Sequence, residues 1–331
     1  MKTLATTTEC WVREPSTLRK LPKSIGMRAA GRVAVWLNAV VGSRAGDAFG
    51  ILTYHRIAEH VAGLPKPLHN VQPRRFREQL LGLQRRGFTF WPLSKALECH
   101  ASGDRIPPRT LLITFDDGFQ TVYTEAWPVL KDLQIPATVF VNTAFLDSRD
   151  SFPFDAWGVA YSDRAPAPTY RPLTTEQCRE MLKHTLVQIG AHTHSHEDFR
   201  GRTDAFYDDT KKSVDIVRTR LGVQDVTFAF PYGSRNAGFV TDELIDAARR
   251  AGAVCGLAVE SAVVPSAADP FSWGRFNVFP WDNSATLAAK LGGWYSWAPE
   301  LKQRLSRIVS RGDRRRARKH VPLLVRKGAD G

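Results

Sequence analysis

The chain has 331 residues, of which 43% are apolar, so it is long enough to bury one large core or two modest ones. Its four cysteines lie far apart, which excludes a disulfide-dense scaffold and a zinc site built on C-x-x-C pairs. The net charge of +13 belongs to the two ends, because residues 51–300 are close to neutral, and this argues against nucleic-acid binding as the main function.

Residues 1–48 form a basic N-terminal extension. The apolar run VAVWLNAVVG (33–42) has the length of a signal-peptide core, but the stretch ahead of it contains Glu9 and Glu14 and is a poor leader. No apolar run approaches the roughly 18 residues of a membrane span. We therefore expect a retained N-terminus and a protein that is cytoplasmic or peripheral on the cytoplasmic membrane face.

From residue 49 onward the pattern alternates between strands and helices. FGILTYH (49–55) predicts a buried strand, and residues 73–87 predict a helix with Phe76, Leu80 and Leu83 on one face. Further strands are predicted by the apolar runs TLLITF (110–115), ATVFVN (137–142), VQIGAH (187–192), VTFAF (226–230) and AVCGLAV (253–259). Helices are predicted over 203–222 and 239–252, each ending at glycine, and from Thr174, which has capping-box spacing to Gln177.

This alternation indicates βαβ units and a parallel sheet. The number of units and the length of the segment favour a closed or partly closed barrel over an open sheet. In such a barrel the functional residues lie in the loops that follow the strands. The Pro-rich, aromatic segment 148–172 is too long for an ordinary connection and predicts a loop over one barrel face.

Two adjacent carboxylates, Asp116 and Asp117 in TFDDG (114–118), directly follow a predicted strand. Like charges at this spacing disfavour joint ionisation unless a positive group neutralises them. Taken alone, the motif is also typical of a polar turn closed by Gly118.

Three histidines alternate in HTHSH (192–196), after another strand. On a continuing strand His192, His194 and His196 would share one face, whereas on a helix His192 and His196 would pair. Either geometry lets His192 and His196 bind one ion, and His194 joins them only in the first. Glu197 and Asp198 fit the first turn of a following helix, or acceptors for the ligand imidazoles.

Pro231 and Gly233 in FAFPYG (228–233) predict a turn at a further strand end. Such a turn can leave the backbone N–H of Tyr232 unpaired and facing a cavity, which is what a developing oxyanion requires. By itself this motif is more typical of a plain turn.

Together the three motifs indicate a catalytic metal site. One aspartate and two histidines leave a coordination position open for water, as catalytic rather than structural divalent sites do. A second carboxylate beside them can act as a general base toward that water. The combination predicts metal-assisted hydrolysis of an acyl group.

TFDDG, HTHSH and FPYG occur in the order and spacing of the NodB-homology polysaccharide deacetylases, carbohydrate esterase family 4, which residues 49–280 resemble. LTYHRI (52–57) is similar to the first strand of the branch that acts on exopolysaccharides. The resemblance implies an α/β fold, a distorted (β/α)7-8 barrel with a motif-bearing core over about 109–280 and basic extensions at 1–48 and 281–331. It also implies removal of N-acetyl groups from an amino sugar, which gives acetate and a free amine.

The resemblance implies that Asp117, His192 and His196 bind a divalent metal and that Asp116 is the catalytic base. Zinc is the favoured ion, although this donor set also accepts cobalt, nickel or iron. His194 falls at a variable position of the family motif.

Pro231 and Tyr232 are implied to line the substrate site, with the Tyr232 backbone N–H on the oxyanion. The family often has an arginine shortly before this pair, where TFAFPY offers only apolar residues. Arg275 in WGRFNV is the candidate replacement, and its alternative is an ordinary surface or ion-pairing arginine. The family's late L-x-H histidine is also missing. His55, at the end of the first strand, is the best replacement as general acid, since an ordinary imidazole pKa of about 6.5 suits proton delivery at neutral pH, and a structural role is its alternative.

Residues 294–327 combine basic charge, aromatic side chains and a helical apolar stripe formed by Leu301, Leu305, Ile308 and Val309. These features are typical of an interfacial helix on an anionic membrane surface. The alternative is a helix packed on the barrel with a solvated basic face.

The predicted substrate is therefore an N-acetylated glycan. Because the expected arginine and the late histidine are missing, a catalytically silent carbohydrate-binding relative is the alternative function.

Overall fold

The computed structural model of the protein describes residues 21–43 and 45–294, with the side chains of the first helix described from residue 31 onward. In this part of the chain the strands are β1 (Ala48–Tyr54), β2 (Arg56–Ile57), β3 (Asn70–Val71), β4 (Thr89–Phe90), β5 (Thr110–Phe115), β6 (Ala137–Val141), β7 (Val187–Ala191), β8 (Thr227–Ala229), β9 (Cys255–Leu257), β10 (Val264–Pro265) and β11 (Phe276–Asn277). The α-helices are α1 (Leu21–Val41), α2 (Pro73–Arg85), α3 (Leu93–Ala101), α4 (Trp127–Leu133), α5 (Ala156–Tyr161), α6 (Thr175–Leu182), α7 (Thr203–Leu221), α8 (Asp242–Arg250) and α9 (Ser284–Ala289).

Seven parallel strands form one strongly curved sheet in the order β11, β1, β5, β6, β7, β8 and β9. A single parallel bridge between Ala258, just after β9, and Gly274, just before β11, brings the two ends of the sheet together. Short strands add to this sheet, since β10 pairs antiparallel with β1 and β4 pairs parallel with β5. The predicted α/β fold, a distorted (β/α) barrel, is confirmed.

The apolar runs of the sequence form the barrel strands. Every residue of β1, β5 and β6 is buried, because helices cover the outside of the sheet and side chains fill its inside. The strands predicted at 49–55 and in the five later runs are all present, with ends shifted by a few residues.

The predicted helices are also present. Phe76, Leu80 and Leu83 of α2 are buried, as their spacing indicates. Helix α7 ends at Gly222 and α8 is followed by Gly252, both with positive φ, a conformation that glycine adopts without steric cost. Thr174 and Gln177 form the predicted capping box at the start of α6.

Helix α1, which the sequence analysis did not predict, packs against α9. Ala34 contacts Ala289 and the buried side chain of Trp294. The indole N–H of Trp294 donates a hydrogen bond to the carbonyl of Gly42 at 2.9 Å. The boundaries proposed at 48 and 280 remain predictions. In the ranges that the structure covers, no helix has the length and apolar character needed to cross a bilayer.

Most of the predicted interfacial segment, residues 294–327, lies outside the described residues. Trp294 is its one described member, and it is packed into the fold rather than exposed. The membrane role of residues 295–327 stays a prediction.

The capping box of α6 gives a test of the fold, since α6 leads into β7. We expect Thr174→Ala to lower the free energy of unfolding by about 1 kcal/mol, because the Gln177 N–H loses its acceptor. Urea denaturation measures the change, and Thr174→Ser, which keeps the hydroxyl, is the control. Equal losses in both variants would contradict a capping role for the hydroxyl.

Candidate active site

The carboxyl ends of three barrel strands carry the residues singled out in the sequence. Asp116 and Asp117 directly follow β5, His192 follows β7, and Tyr232 follows β8 by three residues. Because parallel strands present their carboxyl ends at the same rim, these groups meet at one end of the barrel.

Asp117, His192 and His196 form one buried group. The Nε2 atoms of both histidines lie 3.5 Å from Oδ1 of Asp117, and the three possible ligand atoms lie within 4.8 Å of one another. His194 points elsewhere, since its Nδ1 lies 2.9 Å from the hydroxyl of Thr143. Of the three alternating histidines, the structure therefore brings His192 and His196 together and leaves His194 out.

The His192 imidazole has a defined tautomer. Its Nδ1 lies 2.7 Å from the carbonyl oxygen of Ala229, and because a carbonyl only accepts, Nδ1 must carry the proton. The lone pair of Nε2 then faces Asp117 and is available to a cation.

His196 lies between aromatic side chains. The Phe154 ring stacks on it at 3.9 Å, and the Tyr232 ring meets it at 4.9 Å in an edge contact. Burial lowers the pKa of His196 to about 4, so its imidazole is neutral at pH 7. A neutral imidazole is the form that binds metal ions.

Both carboxylates of the site are buried and ionised. Burial alone would raise the pKa of Asp117, but the neighbouring imidazoles of His192, His55 and His196 together outweigh it and hold that pKa well below its ordinary value. Burial would likewise raise the pKa of Asp116, but the Arg275 guanidinium outweighs it, with His192 and His55 acting in the same direction. The two adjacent carboxylates therefore have different neighbours, the Arg275 guanidinium for Asp116 and the imidazoles of His192 and His196 for Asp117.

Arg275 pairs with Asp116 through both carboxylate oxygens. Its Nη1 and Nη2 atoms lie 2.6 and 2.9 Å from Oδ1 and Oδ2, and the arginine side chain is 0% exposed. Three further acceptors hold the guanidinium, namely the hydroxyls of Thr53 and Thr114 and the carbonyl of Ala258. The sequence-based alternative of a surface arginine is wrong, and Arg275 occupies the place of a partner for Asp116.

Four residues of the site adopt left-handed backbone conformations without being glycine. Asp117, Thr193, His196 and Tyr232 have φ values between 58° and 69°. Such conformations cost of order 1 kcal/mol or more each, and they persist where the surrounding structure imposes them, often at functional sites. The Thr193 hydroxyl contributes by accepting the His196 N–H at 3.1 Å.

Tyr232 follows Pro231 at the rim of the group. Tyr232 is 47% exposed, whereas Pro231 is buried. Among the described residues, none accepts a hydrogen bond from the backbone N–H of Tyr232. The turn therefore presents a free donor next to His196.

His55 and His69 form a stacked pair beside the carboxylates. Their ring centroids lie 4.7 Å apart, and the Nδ1 atoms of both are buried without a hydrogen-bond partner. The parallel register of Arg56 with Asn70 places the two histidines side by side. Sequence reasoning missed His69, because the two-residue strands β2 and β3 leave no periodic signal.

The His69 ring also contacts Phe279 at 5.7 Å, and Phe279 stacks on Trp281 at 4.9 Å. Burial is the main cause that lowers the pKa of His69 to about 4, and the neighbouring His55 adds to it. The rings of His55, His69, Phe279 and Trp281 are thus in successive contact.

The segment 148–172 lies across this end of the barrel, as predicted for a long loop, and contains α5. Its Phe154 covers His196, and Arg56, which is buried, ties it down by pairing with Asp155 and donating to the Thr169 carbonyl.

Glu197 and Asp198 have a different role from the one expected. They are exposed and pair with Arg202 and Arg200. Because α7 begins only at Thr203, the expectation that they form the first turn of a helix is wrong.

Comparison with known proteins shows similarity over most of the described chain. The sequence model of the family described as polysaccharide deacetylase matches residues 103–255. The chain is 26% identical over 226 residues to the poly-beta-1,6-N-acetyl-D-glucosamine N-deacetylase of Escherichia coli K12, an alignment that covers 60% of this chain and 32% of that protein. It is 28% identical over 209 residues to the protein of the same name from Staphylococcus epidermidis, with 60% and 65% covered. The chain thus spans less than two thirds of either relative.

Solved structures have the same fold. IcaB from Ammonifex degensii has a TM-score of 0.59 and 26% identity, covering 75% of this chain and 97% of that one. The Streptococcus pyogenes deacetylase PplD in complex with acetate has a TM-score of 0.60 and 21% identity, covering 74% and 98%.

The buried pair of Asp116 and Arg275 gives a stability test. We expect Arg275→Met to lower the free energy of unfolding by about 3–5 kcal/mol, because it leaves a buried carboxylate without its counter-charge. Adding Asp116→Asn should recover part of that loss, and urea denaturation of the two single variants and the double variant measures the coupling.

Arg249→Met is the matched control, since Arg249 pairs with Asp269 at the surface. This change should cost less than about 1 kcal/mol. Losses from Arg275→Met and Asp116→Asn that simply add, to within about 0.5 kcal/mol, would contradict the coupling.

Proposed function

The chain contains a polysaccharide deacetylase domain of the NodB-homology type, and on that premise we propose that it is a metal-dependent hydrolase that removes N-acetyl groups from amino sugars and releases acetate. The observation that carries the proposal is the buried group of Asp117, His192 and His196 beside the ionised Asp116. The proposed substrate class is a polysaccharide, in keeping with the names of the relatives, or a lipid-linked glycan.

Asp117, His192 and His196 suit a divalent cation. The Nδ1–H of His192 is already committed to a carbonyl, which directs its Nε2 lone pair toward Asp117, and both imidazole Nε2 atoms converge on the same carboxylate oxygen. Two nitrogen donors and one carboxylate match zinc in a catalytic site. When bound, such an ion polarises the acetyl carbonyl and makes water a stronger nucleophile at neutral pH.

Asp116 is proposed as the base. Its carboxylate is ionised and lies next to Asp117 in the chain, so it can accept the proton of the water that attacks the acetyl carbonyl carbon. Arg275 is proposed to orient this carboxylate, since it holds both oxygens in a fork.

Tyr232 and Pro231 are proposed to contact the substrate. As the water adds, negative charge develops on the acetyl oxygen, and the free backbone N–H of Tyr232 can donate to it. Tyr232 adopts a left-handed conformation after Pro231, at the turn that ends β8.

His55 is proposed as the acid. When the C–N bond breaks, the amine nitrogen needs a proton, and His55 lies close enough to influence the charges of both Asp116 and Asp117. Its stacking on His69 fixes the plane of its ring. A structural role is the alternative for His55.

The proposed partner is an N-acetylated glycan, and residues 295–327 are proposed to meet an anionic membrane surface, with the protein in the cytoplasm or at the cytoplasmic membrane face. Nucleic acid is not expected as a partner, because residues 51–300 are nearly neutral. A catalytically silent carbohydrate-binding protein remains the second candidate, favoured by the missing late histidine.

Acetate release and metal content together test the activity. We expect acetate from N-acetylglucosamine oligomers, a fall in kcat of about 10²–10⁴-fold in Asp116→Asn with metal content retained, and loss of metal in His196→Ala. Chelation should abolish turnover and added zinc should restore it.

His194→Ala is the matched control, because His194 lies two residues from His196 and outside the ligand group. It should keep both metal and turnover. A protein with full metal occupancy and no acetate release from any N-acetylated glycan would sink the enzyme proposal in favour of the silent binding protein.

Comparing two substrates with different leaving groups tests the role of His55. We expect His55→Ala to lower kcat on the amide substrate by about 10²-fold or more, with metal retained, because the departing amine lacks its proton donor. A phenyl acetate, whose leaving group departs without a proton, should lose much less. Equal losses on both substrates would assign His55 a structural role, and His69→Phe, which keeps the stacking, serves as the control.

A further inference from the structure

Helix α1 exposes a continuous apolar stripe. Val33, Trp36 and Val40 recur at helical spacing, and they join Val41 on the solvent side of the helix. Trp36 is 63% exposed and Val40 is 64% exposed. Soluble proteins expose single apolar residues routinely, but a contiguous patch of this kind marks an interaction surface.

The opposite face of α1 is already occupied. Ala34 is buried against Ala289 and Trp294, and Val35 and Leu37 pack at its edges. The inner face therefore accounts for the attachment of α1 to the barrel. Val33, Trp36, Val40 and Val41 lie outside this cluster, and each is more than half exposed.

The sequence that leads into α1 and the sequence that follows Trp294 are both basic. The first 50 residues contain eight Lys and Arg against three Asp and Glu, and Arg32 lies exposed beside Val33. The described part of the chain ends at Trp294. The indole N–H of Trp294 donates a hydrogen bond to the carbonyl of Gly42, the residue that follows α1. The eleven Lys and Arg of residues 301–331 thus follow from a point beside the same helix.

We propose that the outer face of α1, formed by Val33, Trp36, Val40 and Val41, binds the surface of an anionic lipid bilayer. An apolar stripe with an aromatic residue inserts between headgroups, and basic residues around it are attracted to anionic lipid. Tryptophan prefers this interface because its ring is apolar and its N–H is polar. The helix lies on the bilayer and does not cross it, since it is too polar for a membrane span.

The charge pattern favours a lipid surface over a second copy of the chain. Two copies meeting through α1 would bring two strongly basic regions together, and this repulsion would oppose association. An anionic bilayer meets the same charge with the opposite sign. The proposal goes beyond the deacetylase function, and its test measures binding without any turnover.

Vesicle binding by the full chain tests the proposal. The wild-type protein should co-sediment with vesicles of phosphatidylcholine and phosphatidylglycerol, bind much less to phosphatidylcholine alone, and lose part of its binding as salt rises. We expect Trp36→Ser/Val40→Ser to weaken binding to the mixed vesicles by about tenfold or more, because two inserting side chains are removed. Trp36→Phe should keep most of the binding.

A charge-matched pair of variants separates insertion from charge. Trp36→Glu/Val40→Glu and Val159→Glu/Val254→Glu each replace two exposed apolar residues by two acids, but only the first pair lies on α1. The first should lose binding far more strongly than the second. Equal losses of vesicle binding in the two double variants would show that net charge alone explains the effect, and would overturn the role of the stripe.

Two other outcomes would also overturn the proposal. If the wild type binds no vesicles but forms dimers that Trp36→Ser/Val40→Ser dissolves, the stripe is a contact between copies. If the wild type binds no vesicles, stays monomeric and loses thermal stability in that variant, the stripe is covered by this chain itself. Circular dichroism of each variant shows whether it is folded, and acetate release measured in parallel keeps the deacetylase proposal separate.

Discussion

The buried pair of Arg275 and Asp116 is the interaction on which the site depends. Two adjacent carboxylates at the end of β5 would repel each other in a low-dielectric interior, and at least one would take up a proton. Arg275 neutralises Asp116 through two hydrogen bonds, while His192 and His196 face Asp117. Both carboxylates can therefore stay ionised within a few ångströms, each with a separate partner.

This division of partners separates two chemical roles. Asp117 has the Nε2 atoms of His192 and His196 facing its Oδ1, so this oxygen can join a cation with them. Asp116 has its oxygens held by a guanidinium and keeps a fixed orientation. Asp116 and Asp117 are consecutive residues whose side chains must point toward different partners. The left-handed backbone of Asp117 fits this requirement.

The fold was largely predictable from the sequence, since long apolar runs and glycine stops leave periodic signals in strands such as β5 and helices such as α7. The short elements were not. Strands β2, β3 and β11 have two residues each, too few to show a period, and they bring His69 beside His55 and Arg275 to Asp116. Motif spacing placed Asp116, Asp117 and the histidines in one group, and the family resemblance set His194 apart from His192 and His196. The histidine spacing alone could not do so, because it does not show that the chain turns at Thr193 instead of continuing as a strand.

Residues 274–276 both close the barrel and provide the positive charge that neutralises Asp116. Gly274 bridges Ala258 at the far end of the sheet, Arg275 reaches Asp116, and Phe276 pairs with Leu52 of β1. A side chain at position 274 would meet the Cβ of Glu260 at 2.9 Å, so the close approach requires glycine. Strand β11 has only two residues to pair with β1, too few to hold the sheet ends together through backbone bonds alone. The buried side chains of Trp273 and Phe276 join this segment to the core, and the pairing of Arg275 with Asp116 links the same segment to the end of β5.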